Sequence, residues 1–161
     1  MANYCSNCIA FYGNDLNKLE LLRKLMDGEC KYIRDFVMKC GYIEVEALEF
    51  TDGRDTFVEV PDDVAKDDTS YYFIIQTETA WNPHVEVFSK IIQERFENQI
   101  NFVYCSEEPG FEIYINTDTE GRFFRNCLCK RLFHLICTQM RKKVCNIENR
   151  VVFIFAKCYG N

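Results

Sequence analysis

Residues 71–116 read YYFIIQTETAWNPHVEVFSKIIQERFENQINFVYCSEEPGFEIYIN, and this stretch decides the fold. Apolar and polar side chains alternate from Tyr71 with a period of two, which predicts a strand over 71–77. The pair Asn82-Pro83 then predicts the start of a helix over 83–97, because asparagine caps helices and proline suits the first helical position. Two further strands are predicted over 101–105 and 111–115, joined by the turn that contains Pro109-Gly110.

The part of the chain before residue 71 predicts an opening strand over residues 3–12. Cys5 and Cys8 then point to opposite faces of that strand, since neighbouring side chains alternate. The other predicted elements are two helices over 16–26 and 30–40, and two strands over 42–50 and 56–60.

The order of these elements predicts an α+β domain whose mainly antiparallel sheet is backed by helices. The succession β-α-β-α-β-β, with an insertion after the first helix, is compatible with a ferredoxin-like split βαβ arrangement. That term names a fold and implies no iron–sulfur cluster.

Charge divides the chain into two parts. Residues 1–120 carry 10 basic and 24 acidic side chains, whereas residues 121–161 carry 9 basic and 1 acidic. We therefore predict a domain over 1–121 and a basic, cysteine-rich extension over 122–161 packed on it. Within the extension, the pattern predicts a helix over 124–140 and a strand over 151–155. A nucleic-acid-binding arm and a recently acquired or frame-altered tail are the alternatives.

The composition indicates a cytoplasmic protein that does not enter a membrane. No apolar run reaches the 18 residues of a membrane span, and the first residues lack the basic and apolar regions of a signal peptide. The ten cysteines are accordingly expected to be mostly reduced thiols.

Three segments occur in an order that resembles a known family: Met1–Asn7 (MANYCSN), Thr77–Pro83 (TETAWNP), and Tyr104 followed by Glu107–Gly110 (EEPG). Together they are similar to the YubB-type ferredoxin-like domain family, small proteins of plasmids, phages and conjugative elements. The resemblance covers roughly residues 1–121. It implies the fold and a mobile-element setting, and it implies no activity or cofactor.

The residue patterns predict neither a metal nor a cofactor. Cys5-x-x-Cys8 has no second pair to complete a zinc site. The segment 116–121 resembles half of a calcium loop, but Cys127 occupies the position that needs a glutamate, so a polar turn is predicted there. His84 is predicted in the first helical turn, where the helix dipole disfavours its protonated form.

Trp81, the only tryptophan, is the main candidate for a binding residue. A core anchor buried against the helix and an exposed recognition side chain are both compatible with its position, and burial is the expectation. The common catalytic motifs are absent, so the leading hypothesis is a non-enzymatic accessory protein that acts through contacts with a protein partner. The candidate surface combines Trp81, Glu107 and Glu108, because the ends of two strands bring their turns together.

Nucleic-acid binding is the alternative function. Basic and aromatic side chains interleave between residues 122 and 143, a composition that suits phosphate contacts and base stacking. The candidate residues are Arg122, Arg125, Lys130, Arg131, Arg141, Lys142 and Lys143.

Overall fold

The computed structural model describes residues 4–26 and 30–124. They belong to the first of two units in the chain, Met1–Leu128, and the second unit is Cys129–Asn161. The helix predicted over 124–140 and the strand predicted over 151–155 therefore lie outside the described residues, apart from Phe124. No helix in the described ranges is both long and apolar enough to cross a membrane.

The described residues form an α+β domain of six strands and four helices. In chain order the elements are β1 (Tyr4–Gly13), α1 (Leu16–Met26), α2 (Ile33–Lys39), α3 (Glu44–Phe50), β2 (Thr56–Glu59), β3 (Ala65–Lys66), β4 (Tyr71–Ala80), α4 (Glu86–Phe96), β5 (Asn101–Glu108) and β6 (Ile113–Asn116).

All six strands belong to one antiparallel sheet. Its order is β2-β4-β1-β5-β6, and the short β3 pairs with β4 beside β2. The central strand β1 places Asn7 opposite Thr77 on β4 and opposite Ser106 on β5. The strands predicted over 3–12, 71–77, 101–105 and 111–115 all occur in this sheet, although the last begins at Ile113 instead of Phe111.

The main core lies between one face of the sheet and the helices. Phe11 is at its centre, with ring centroids 5.2 Å from Phe73, 5.6 Å from Phe88 and 5.8 Å from Phe102. On the opposite face a smaller cluster forms around Ala10, Cys105 and Phe124. Each face of β1 is thus buried, and its helix side carries a cluster of packed aromatic rings.

Cysteine side chains appear on both faces of the sheet. Cys5 faces the helix side and Cys8 the opposite side, as their spacing on a strand predicts. Among the described cysteines, Cys5, Cys30 and Cys40 are buried free thiols. Burial raises the pKa of Cys5 and of Cys40 to about 11, so both remain protonated at neutral pH.

The strand predicted over 42–50 is wrong, since these residues form helix α3. Glutamates in its first turn suit a helix N-terminus, and the Glu46 carboxylate accepts a hydrogen bond of 3.0 Å from the Ile43 N–H. The alternating apolar residues that suggested a strand do not line a buried face, because Val45 is 67% exposed and only Ala47 is buried.

The helix predicted over 83–97 is confirmed, but its start is not. α4 begins at Glu86, with Val85 at the N-cap position and no capping side chain. Asn82 and Pro83 instead belong to a turn in which Trp81 and His84 both have positive φ, 68° and 43°. Side chains of non-glycine residues disfavour this backbone region, so the turn must be held by its surroundings.

Candidate functional site

An exposed aromatic pair lies where β4 and β5 end. The rings of Trp81 and Phe111 meet edge to face with centroids 5.5 Å apart, and the side chains are 40% and 57% exposed. Tyr4, opposite Ala80 at the start of β1, is 44% exposed. We call Tyr4, Arg54, Trp81 and Phe111 the strand-end surface.

Arg54 joins this surface from the loop before β2. Its guanidinium lies 6.0 Å from the centre of the Trp81 ring, within the range of a cation–π contact. Asp52 holds the guanidinium there, accepting a bond of 3.0 Å from the Arg54 Nε. This contact also lowers the pKa of the Asp52 carboxyl group.

The expected burial of Trp81 against the helix is wrong. That expectation relied on a helix starting at Pro83, which would have turned the indole toward the core. Because α4 starts three residues later, the chain turns outward at Trp81, and its ring packs on Phe111 at the surface.

A buried carboxylate anchors the turn that carries Trp81. Asp55 is 0% exposed, and it accepts hydrogen bonds of 2.8 Å from the Ala80 N–H and 2.8 Å from the Asp52 N–H. Its second oxygen lies 2.7 Å from Nδ1 of His84. Asp55 thus links the loop before β2 to the end of β4 and to the following turn.

The expected suppression of the His84 charge is also wrong. His84 lies before the first turn of α4, and the hydrogen bond to Asp55 raises the pKa of its imidazole above the ordinary value of 6.5. A carboxylate on Nδ1 favours the doubly protonated ring.

Buried polar side chains lie beneath the turn. The Asn7 Nδ2 donates to the hydroxyls of Thr77 and Thr79 at 3.2 and 3.0 Å. The Thr79 hydroxyl donates a hydrogen bond of 2.5 Å to the carbonyl of Asn82, so the network reaches the turn itself. These side chains satisfy one another and fix the sheet end that supports the surface.

The two predicted glutamates lie on opposite faces of β5. Glu108 is 3% exposed, and its carboxylate accepts a hydrogen bond from the Phe111 N–H, which positions the Phe111 turn. Glu107 is half-buried on the other face, opposite Ser6 on β1 and Tyr114 on β6. The structure therefore brings Trp81 near the Glu108 turn, through Phe111.

Of the seven residues proposed to bind nucleic acid, Arg122 alone is described. Its Nε donates a hydrogen bond of 3.1 Å to the Asp67 carboxylate, and its guanidinium lies 5.2 Å from the centre of the Tyr12 ring. This contact lowers the pKa of Asp67. The other six residues lie outside the described ranges.

Segment 116–121 forms the predicted polar turn. The Gly121 N–H donates a hydrogen bond of 3.0 Å to the carbonyl of Asp118. Gly121 has a positive φ of 66°, which glycine tolerates. The Asp118 carboxylate accepts from the backbone N–H groups of Phe123 and Phe124 at 2.6 and 2.8 Å.

Two cavities of about 430 and 560 Å³ lie away from the strand-end surface. The first is lined by residues that include Asp15, Asn101 and Arg122, and the second by residues that include Tyr42 and Arg95. Neither contains a histidine, Glu107 or Glu108. No cluster of three metal-ligating side chains occurs within the part of the chain described.

Sequence reasoning missed Asp55 and Phe111. Asp55 ends the segment Asp52-Gly53-Arg54-Asp55, which signals only a turn, and nothing local indicates that its partner is His84. The sequence pattern predicts Phe111 in a strand, whereas β6 begins at Ile113 and leaves Phe111 in the turn.

No family model, curated protein or solved structure matches the chain.

Proposed function

We propose that this chain is a non-enzymatic binding or accessory protein of a mobile genetic element, and that it acts through protein contacts at the strand-end surface. The observation that carries the proposal is the exposure of Trp81 beside Phe111 and Arg54. Tryptophan, tyrosine and arginine are the residues that most often dominate the binding energy of protein interfaces.

The conformation of the turn supports this proposal. A tryptophan at positive φ is disfavoured, and such strain persists where the surrounding contacts over-determine the backbone. Asp55 and the Asn7 network supply those contacts from below. A large apolar ring is therefore held toward solvent by a rigid base, so that little conformational entropy would be lost when a partner covers it.

The fold and setting belong to the same proposal. With β3 and β6 set aside, the strand order β2-β4-β1-β5 and the crossovers through α1–α3 and α4 support the proposal of a ferredoxin-like β-α-β-β-α-β arrangement. The mobile-element and cytoplasmic setting rests on the sequence resemblance and composition, and the genes that neighbour this one in its source would test it.

Replacing Trp81 by alanine should strongly reduce partner capture while leaving stability nearly unchanged. An exposed ring contributes little to folding, so we expect the free energy of unfolding to fall by no more than about 1 kcal/mol. A photo-crosslinking p-benzoylphenylalanine placed at position 111 reports contact directly. We expect it to form a discrete protein adduct in source cells, reduced about tenfold or more by Trp81→Ala.

The matched control places the same crosslinker at Leu21, an exposed apolar residue on α1. A specific adduct from position 111 and none from position 21 supports the proposal. Equal labelling from both positions, or an adduct that Trp81→Ala leaves unchanged, contradicts it.

Nucleic-acid binding through residues 122–143 is the competing function. In the described part, Arg122 is already paired with Asp67 and packed on Tyr12. A heparin column separates the two functions, because a phosphate-binding surface elutes only at high salt. We expect the protein to flow through the column at low salt. If the protein is instead retained, and replacing Lys142 and Lys143 abolishes that retention, the result would favour the alternative.

A further inference from the structure

We infer that the Asp55–His84 pair is a pH-sensitive clasp that holds the 81–85 turn, so that the strand-end surface binds its partner best when His84 is protonated. The inference rests on the function proposed above and concerns the regulation of the same surface.

Asp55 is fixed from several sides. Its backbone carbonyl accepts a hydrogen bond of 3.0 Å from the Ile33 N–H at the start of α2. Its carboxylate accepts hydrogen bonds from the N–H groups of Asp52 and Ala80. The carboxylate is therefore a rigid point to which His84 attaches by a bond of 2.7 Å. His84 extends this anchoring three residues beyond Trp81.

The turn between the two residues depends on such attachment. Trp81 and His84 both have positive φ, which non-glycine residues leave readily when their restraints weaken. Loosening the His84 contact therefore allows the turn to relax, and the Trp81 ring then leaves its edge-to-face contact with Phe111.

The charges around His84 favour its protonated form. Asp55 contributes the hydrogen bond, and Glu86 on α4 and Asp52 in the loop before β2 add further attraction. Arg54 is paired with Asp52 and partly offsets that attraction. The protonated ring adds the attraction between opposite charges to its hydrogen bond with the Asp55 carboxylate, and this attraction is lost when the ring is neutral.

The direction of the pH dependence follows from the raised pKa of His84. The stabilisation of the turn is fully present below the ordinary value of 6.5, and it is lost as pH rises through the raised pKa. Partner binding should accordingly be tighter in mildly acidic than in alkaline solution.

The chain offers a direct test, because it has one tryptophan and two histidines. Emission from Trp81 in the free protein is followed from about pH 5 to about pH 9, the range in which histidine titrates. We expect a transition with its midpoint above 6.5 that is absent from His84→Gln and retained in the control His134→Gln. Asp55→Asn, which keeps an acceptor oxygen, should move the midpoint to lower pH.

A wild-type emission that does not change with pH, or a transition that survives in His84→Gln, overturns the inference. Circular dichroism establishes that each variant is folded, and Asp55→Asn alone decides if His84→Gln does not fold. Crosslinking from position 111 should also fall about threefold to tenfold above the transition. If the fluorescence transition occurs and no adduct forms at any pH, the clasp stands and the proposed function fails.

Discussion

Replacing Phe11 by alanine is expected to lower the free energy of unfolding by about 3–5 kcal/mol, the range for aromatic truncations in a core. Phe11 is fully buried on the central strand β1 and contacts Phe73, Phe88 and Phe102. Its removal leaves a cavity between the sheet and α4 that the paired strands cannot close. Denaturant unfolding monitored by circular dichroism measures the loss.

Phe111→Ala is the matched control for that experiment. The chemical change is identical, but Phe111 is exposed, so the free energy of unfolding should fall by less than about 1 kcal/mol. Equal destabilisation by the two variants would contradict the assignment of Phe11 to the core and of Phe111 to the surface.

Removing the Asp55 carboxylate should have a comparable effect on stability. Asp55→Ala leaves the N–H groups of Ala80 and Asp52 without acceptors, and each unsatisfied buried donor costs about 1–3 kcal/mol. The Asp52 N–H is only part-buried and costs less than the buried Ala80 N–H, so we expect a loss of about 2–4 kcal/mol in the free energy of unfolding. The emission of Trp81 should change as well, because the turn loses its anchor.

Asp62→Ala provides the control, since it removes the same charge from an exposed position. Its free energy of unfolding should stay within about 0.5 kcal/mol of wild type. If Asp55→Ala changed the free energy of unfolding as little as Asp62→Ala, Asp55 would not anchor the turn.

The strands at the centre of the sheet were predictable because the residue pattern that indicates each strand lies within the strand itself. β4 and β5 carry period-two patterns, and the apolar spacing of α4 matches the face that it buries in the main core. In α3 the same reasoning failed, because Val45 and Leu48 face solvent while its glutamates suit a helix start. Periodicity reports which side chains could be buried together, and α3 does not bury them.

The candidate site was only partly predictable for a related reason. β4 and β5 both pair antiparallel with β1, so the turns that follow them leave the same edge of the sheet, and a surface near Trp81 could be expected from this topology. The contacts that shape it are between residues far apart in the chain, such as Asp55 with His84 and Trp81 with Phe111. No local pattern encodes such pairs, and the Asn82-Pro83 pair predicts a helix start at Pro83, whereas α4 begins at Glu86.

The central claim is that the chain presents Trp81 to solvent as a binding residue, and the emission of the native protein tests it most directly. Trp81 is the only tryptophan, so the signal needs no variant and no partner. The account predicts red-shifted emission that acrylamide quenches readily, and a shift to shorter wavelength when a crosslinked partner covers the ring. Blue-shifted emission that resists quenching in the free protein would contradict it.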